Sequence, residues 1–132
     1  MAVVEMSGRA FVTDADRVVA RLRGAGARFA FVHGSRVDGT ARADSDLDVA
    51  AWFGGADPAP WEVVLPGAID LVVLDRAPLA LAGRVAMRGA LLFDDDPPAR
   101  VAWQGDTRLR YLDEIDLQRE LVDDFLRSRH GR

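Results

Sequence analysis

The 132-residue sequence has no cysteine, no lysine, a single tyrosine, two histidines and no long apolar run. Each scarcity removes a class of protein. Without cysteine there is no disulfide scaffold, no thiolate zinc site and no cysteine nucleophile. All 17 basic residues are arginine. That removes the phosphate loop built on a Gly-Lys pair and every enzyme that works through a Schiff base. The longest apolar stretches, such as Ile69 to Leu74, are broken by charge and fall well short of the roughly 20 residues a membrane span needs. The start, Met1 to Met6, is mildly apolar but short, and Arg9 and Asp14 follow too soon for a signal peptide. A cytoplasmic location with no membrane partner is the expectation. A formal net charge of -4 argues against a broad nucleic-acid surface and leaves room for a small basic pocket.

What is present fits one folded unit. Residues 1–132 are enough for one domain of ordinary size, and 49% hydrophobic with 29% charged residues is a globular balance. Thr13-Asp14-Ala15-Asp16 reads as a helix start, Val18, Val19 and Leu22 share a helical face, and Gly24 and Gly26 close the segment. Three short apolar runs, Phe29 to Val32, Leu47 to Phe53 and Ile69 to Leu74, are bounded by glycine or proline and read as buried strands. Pro78 opens a second helix through about Met87, Ala90 to Phe93 is a fourth strand, and Asp94 to Pro98 is a solvated loop or helix lead-in. From about Arg108 to Arg129 the leucines, Ile115, Val122 and Phe125 predict an amphipathic helix. The expected architecture is α+β, a small mixed sheet flanked by helices.

One segment carries chemistry. Gly34-Ser35-Arg36-Val37-Asp38-Gly39-Thr40-Ala41-Arg42-Ala43-Asp44-Ser45-Asp46-Leu47-Asp48 begins where one strand ends and finishes where the next begins. Asp46 and Asp48 are separated by one residue, so strand alternation points both carboxylates the same way. Neighbouring carboxylates repel unless a cation bridges them, and a hard divalent ion such as Mg²⁺ paired with a triphosphate suits oxygen ligands. Asp70 interrupts the third apolar run and needs a partner. If that strand lies beside Leu47 to Phe53, Asp70 joins Asp46 and Asp48, and three carboxylates suffice for two metal ions about 4 Å apart. The alternative is that Asp70 caps a turn or faces a loop, with Asp75 taking no part. Gly34 lets a phosphate approach the backbone, and Ser35 offers a hydroxyl. Arg36 and Arg42 either meet further phosphate oxygens or are ordinary surface arginines. A calcium-loop reading of Asp44, Asp46 and Asp48 fails, because Val49 and Gly55 stand where Gly and Glu are required.

Gly-Ser, ten residues, Asp-x-Asp and a later strand Asp resemble the nucleotidyltransferase (polymerase-β-like) superfamily. The small size and the form Gly-Ser-Arg-x-x-Gly-x-x-Arg-x-Asp-Ser-Asp-x-Asp are similar to the minimal nucleotidyltransferases, the MntA-type antitoxins of bacterial HEPN toxin pairs. The motifs cover Ala27 to Asp75. The resemblance implies that Gly34 and Ser35 bind nucleotide phosphates and that Asp46, Asp48 and Asp70 are metal ligands, one of the last two also helping to deprotonate the acceptor hydroxyl. Two positions depart from the family's pattern: His33 replaces an apolar or aromatic residue, and Ala43 stands where proline is common. The 57 residues after Asp75 leave no room for an acceptor-binding domain, so the acceptor is expected on another chain. The resemblance implies AMP transfer from ATP to a tyrosine of a HEPN ribonuclease toxin held in a hetero-oligomer. The other readings are a nucleotidyltransferase of small molecules such as aminoglycosides, and a toxin-binding antitoxin without catalysis. Trp52, Trp61, Trp103 and Tyr111 are expected in packing or at an interface, and His33 lines the site or is a hydrogen-bonded structural histidine.

Overall fold

The computed structural model describes residues 8–34, 48–55, 58–59, 62–66 and 69–130. Among them the chain forms a helix α1 (Gly8–Gly24), strands β1 (Phe29–His33), β2 (Asp48–Trp52) and β3 (Asp70–Val73), a helix α2 (Leu79–Arg88), a strand β4 (Ala90–Asp94) and a long helix α3 (Pro97–His130). A 3-10 turn, Leu74–Arg76, follows β3. The four strands lie in the order β3-β2-β1-β4. β1 runs antiparallel to both β2 and β4, while β2 and β3 run parallel. The α+β class with a mixed sheet is as the sequence indicates.

Alternation along the strands sorts their side chains onto two helix-covered faces. Ala30 and Val32 of β1, Val49 and Ala51 of β2 and Val73 of β3 share one core cluster with Val18 and Leu22 of α1. Phe29 and Phe31, Ala50, Leu74 and Val85 of α2 form the other, with Trp52 and Trp103 of α3 packed against it. The second cluster is an aromatic stack. The Phe29 and Trp52 rings lie nearly parallel at 5.1 Å, Phe29 meets Phe31 edge-on at 5.9 Å, and Trp103 sits 5.7 Å from both phenylalanines. Such pairs add about 0.5–1.5 kcal/mol each beyond area burial. The tryptophans expected in packing are there; Trp61 lies outside the described residues.

Two boundaries differ from expectation. α1 does not begin at Thr13 but runs from Gly8; no glycine or proline separates Gly8 from Gly24, so a capping-type residue alone does not stop the ladder. Its other end is as expected. Gly26 takes φ +98°, its N–H bonds the Arg23 carbonyl, and the Ala27 N–H bonds the Leu22 carbonyl, the paired pattern that closes a helix through a left-handed glycine. α3 starts at Pro97 rather than near Arg108. Asp96 supplies its cap, accepting from the Ala99 N–H at 3.2 Å, with proline next in line where its missing N–H is harmless.

The acidic run ahead of α3 is therefore a structural joint and not a solvated loop. Asp94 pairs with Arg100, Asp95 with Arg23 of α1 and Asp96 with Arg28 before β1. The Arg23 hydrogen bonds, reinforced by its charge and opposed by slight desolvation, hold the Asp95 carboxyl below its ordinary value. Its contribution is present above the ordinary aspartate pKa and is lost as pH falls through the depressed folded value. Being solvent-exposed, it is a small one.

α2 and α3 cross at Gly83. A Cβ on Gly83 would fall inside the Tyr111 ring, so the helices meet face to face only because no side chain stands there. One late carbonyl of α2 is also served twice from α3: Arg108 Nε donates to the Ala86 carbonyl at 2.7 Å and Gln104 Nε2 to the same oxygen at 3.1 Å. Gly83→Ala is expected to lower the melting temperature, costing about 1–3 kcal/mol by overpacking, against a helix-propensity gain of about 1 kcal/mol. In a Tyr111→Ala background the same change is expected to be neutral or stabilising. Stabilisation in both backgrounds would contradict this crossing.

Candidate functional site

Because β1 runs against β2 and β2 runs with β3, the end of β1 and the starts of β2 and β3 meet at one edge of the sheet. The register there is specific. His33, the last residue of β1, stands opposite Asp48, the first of β2. Asp48 stands beside Asp70, the first of β3. Asp48 shares the parity of Ala50, and Asp70 that of Val72, both in the aromatic cluster's neighbourhood, so both carboxylates project on the face covered by α2 and α3. Asp48 is half-buried and Asp70 exposed.

Gly34 follows directly and takes φ +113°, a region that L side chains rarely adopt. Its open Cα has a second consequence. The Asp48 Oδ2 atom lies 3.4 Å from where a Cβ would stand, so the carboxylate leans over the backbone at the point where β1 ends. An all-oxygen pair of carboxylates beside an uncovered backbone fits a hard divalent cation with a phosphate close by.

Ser35, Arg36, Arg42 and Asp46 lie outside the described residues, as does the whole stretch from 35 to 47. Gly34, Asp48 and Asp70 are thus the expected site residues that the structure places, and it brings them to one edge. Among the described residues, no group of three or more His, Asp or Glu side chains is placed to hold a metal ion.

The turn-capping role left open for Asp70 belongs instead to Asp75. Its carboxylate accepts the backbone N–H groups of Phe53 at 2.8 Å, Gly54 at 2.8 Å and Gly55 at 3.0 Å. It thereby closes the far end of β2, where Gly54 and Gly55 both have positive φ. The sequence signal was the Gly54-Gly55 pair, whose consecutive N–H groups need an anion when no strand follows at once. The two aspartates of one segment therefore divide the labour, Asp75 serving the fold and Asp70 left free of that duty.

No family model and no curated protein matches the sequence. Solved structures do. One chain of a toxin–antitoxin complex with AMP-PNP superposes with TM-score 0.69 and 22% identity, over 85% of this chain and 98% of that one. A second, from an MntA–HepT complex carrying two Asp-to-Glu substitutions one residue apart, gives TM-score 0.69 at 20% identity, over 85% and 98% of the two chains. A third comes from the tri-AMPylated Shewanella oneidensis HEPN toxin in complex with MNT antitoxin, with TM-score 0.66 and 19% identity over 87% and 98%. At these identities the likeness establishes the fold alone, which this chain shares with chains of toxin–antitoxin complexes.

If Asp75 is structural and Asp70 functional, their substitutions part company in stability. Asp75→Ala is expected to cost about 2 kcal/mol or more by stranding three N–H groups. Asp70→Asn is expected to change stability by less than about 0.5 kcal/mol, or to raise it by relieving repulsion from Asp48. Chemical denaturation of both variants checks this, and a large loss in Asp70→Asn would make Asp70 a structural residue.

Proposed function

We propose that this chain is a metal-dependent nucleotidyltransferase antitoxin that transfers AMP from ATP to a tyrosine hydroxyl of a HEPN ribonuclease toxin and so neutralises it. The proposal treats residues 1–132 as one minimal domain. The observation that carries it is the in-register Asp48–Asp70 pair at the sheet edge where β1 gives way to a bare, left-handed Gly34. The motif between those strands and the shared fold support the same reading.

In this reading Asp46, Asp48 and Asp70 hold two Mg²⁺ ions. Bound there, the ions supply charge stabilisation of the entering and leaving oxygens of an in-line displacement. The remaining work belongs to the chain's own residues. Gly34 admits the triphosphate to the backbone, and the Ser35 hydroxyl donates to a phosphate oxygen. Arg36 and Arg42 neutralise and orient the phosphates as bidentate donors. Asp48 or Asp70 receives the proton of the acceptor hydroxyl. The phenolic oxygen bonds to the α-phosphorus, the bond from that phosphorus to the β-bridging oxygen breaks, and pyrophosphate leaves. Two relatives of this fold were solved with AMP-PNP and with an AMPylated toxin respectively, which supports ATP as donor and a HEPN protein as acceptor.

We place the partner's contact on the distal half of α3. At about 1.5 Å per residue, this 34-residue helix reaches well past the sheet. Leu117, Leu121, Val122, Phe125 and Leu126 are each about half or more exposed there. An apolar face left in water along a helix is a partner surface, and the related chains were all solved in complex with a toxin. Among the described residues no helix is long and apolar enough to cross a membrane.

Intact-mass spectrometry tests the proposal. The chain is incubated with ATP, Mg²⁺ and the HEPN-type protein encoded beside it. The expected result is a gain of one or more AMP units on the partner, absent with Asp46→Ala/Asp48→Ala. Tight binding without mass gain would replace this reading with a non-catalytic antitoxin. No complex at all would direct attention to small-molecule acceptors such as aminoglycosides.

A further inference from the structure

His33 is the residue at the edge whose chemistry the proposed reaction leaves unused. It closes β1 on the same face as Phe29 and Phe31 and is half-buried. Its register partner is Asp48, which in turn adjoins Asp70. The row across the three strands is therefore His33, Asp48, Asp70, with the half-buried carboxylate in the middle. Directly opposed residues of an antiparallel pair hold their Cβ atoms about 4.5–5.5 Å apart, a separation that an imidazole N–H and a carboxylate oxygen close easily. The Asp48 Oδ2 atom also leans toward the Cα of Gly34, the residue after His33. The carboxylate is thus drawn toward the strand that carries the imidazole.

We propose that His33 is a positioning residue: an imidazole N–H donates to one Asp48 oxygen and thereby presents the other toward Asp70 and the bound cation. Partners of this kind, behind a ligating side chain, commonly change metal affinity by about 10–100-fold. The inference rests on the nucleotidyltransferase reading of the same edge. It also gives a physical use to the position at which this chain departs from an apolar or aromatic residue.

Mn²⁺ in place of Mg²⁺, with AMP-PNP present, allows free and bound metal to be counted by electron paramagnetic resonance without any turnover. Wild type, His33→Leu, His33→Gln and Asp48→Asn are compared, and melting temperatures are recorded for all four. The expected result is a loss of about 10-fold or more in Mn²⁺ affinity for His33→Leu, with most of it recovered in His33→Gln, which keeps an N–H donor. If His33→Leu does not fold, His33→Phe removes the donor while keeping an aromatic ring and carries the same comparison. Affinity within about two-fold of wild type in the donor-less variant, or an equal loss in His33→Gln, would overturn the positioning role. Absence of Mn²⁺ binding by the wild type would overturn the nucleotidyltransferase reading itself.

Discussion

The parallel pairing of β2 with β3 is the constraint on which the site depends. Its register sets Asp48 beside Asp70, and a slip of one residue would send one of the two carboxylates through the sheet to the α1 side. Two like charges side by side at a strand end oppose the pairing that brings them together. The pairing holds because the rest of each strand is apolar and buried or half-buried. Val49, Ala50 and Ala51 are at most 1% exposed, and Val73 is 4% exposed. The cost of the acidic edge is carried by the core behind it.

That core is built from both ends. At the end away from the acidic edge, Asp75 gathers three backbone N–H groups and ties the β2 turn to the turn after β3. On the covered face, the stack of Phe29, Trp52, Phe31 and Trp103 locks β1 and β2 against α3. Arg23, Arg28 and Arg100 then pin the start of α3 through Asp95, Asp96 and Asp94. A sheet end that presents carboxylates in fixed register is what the nucleotidyltransferase reading proposed above requires.

Much of this was legible in the chain. The apolar runs around Phe31, Ala50 and Val72 marked strands because little else lets consecutive residues be buried on two faces. Asp70 stood out because a carboxylate inside such a run needs a reason. The adjacency of Asp70 to Asp48 was not legible, since strand order is set by packing between distant segments. The ion pairs of Asp95 and Asp96 were hidden for the same reason: their partners, Arg23 and Arg28, lie some seventy residues away. Thr13 misled because capping preference is local, whereas α1 is held by Ala15, Val18 and Leu22 against the sheet. The positions of Asp46, Ser35, Arg36 and Arg42 rest on the motif and the spacing alone.

The central claim is that Asp46, Asp48 and Asp70 converge on divalent cations beside Gly34. A crystal structure of the full chain with AMP-PNP and Mn²⁺, with anomalous data for the metal, tests it most directly. The expected result is anomalous density between Asp48 and Asp70, with Asp46 among the ligands and the triphosphate against Gly34 and Ser35. Metal and nucleotide bound elsewhere on the chain, with these carboxylates facing solvent, would contradict the account.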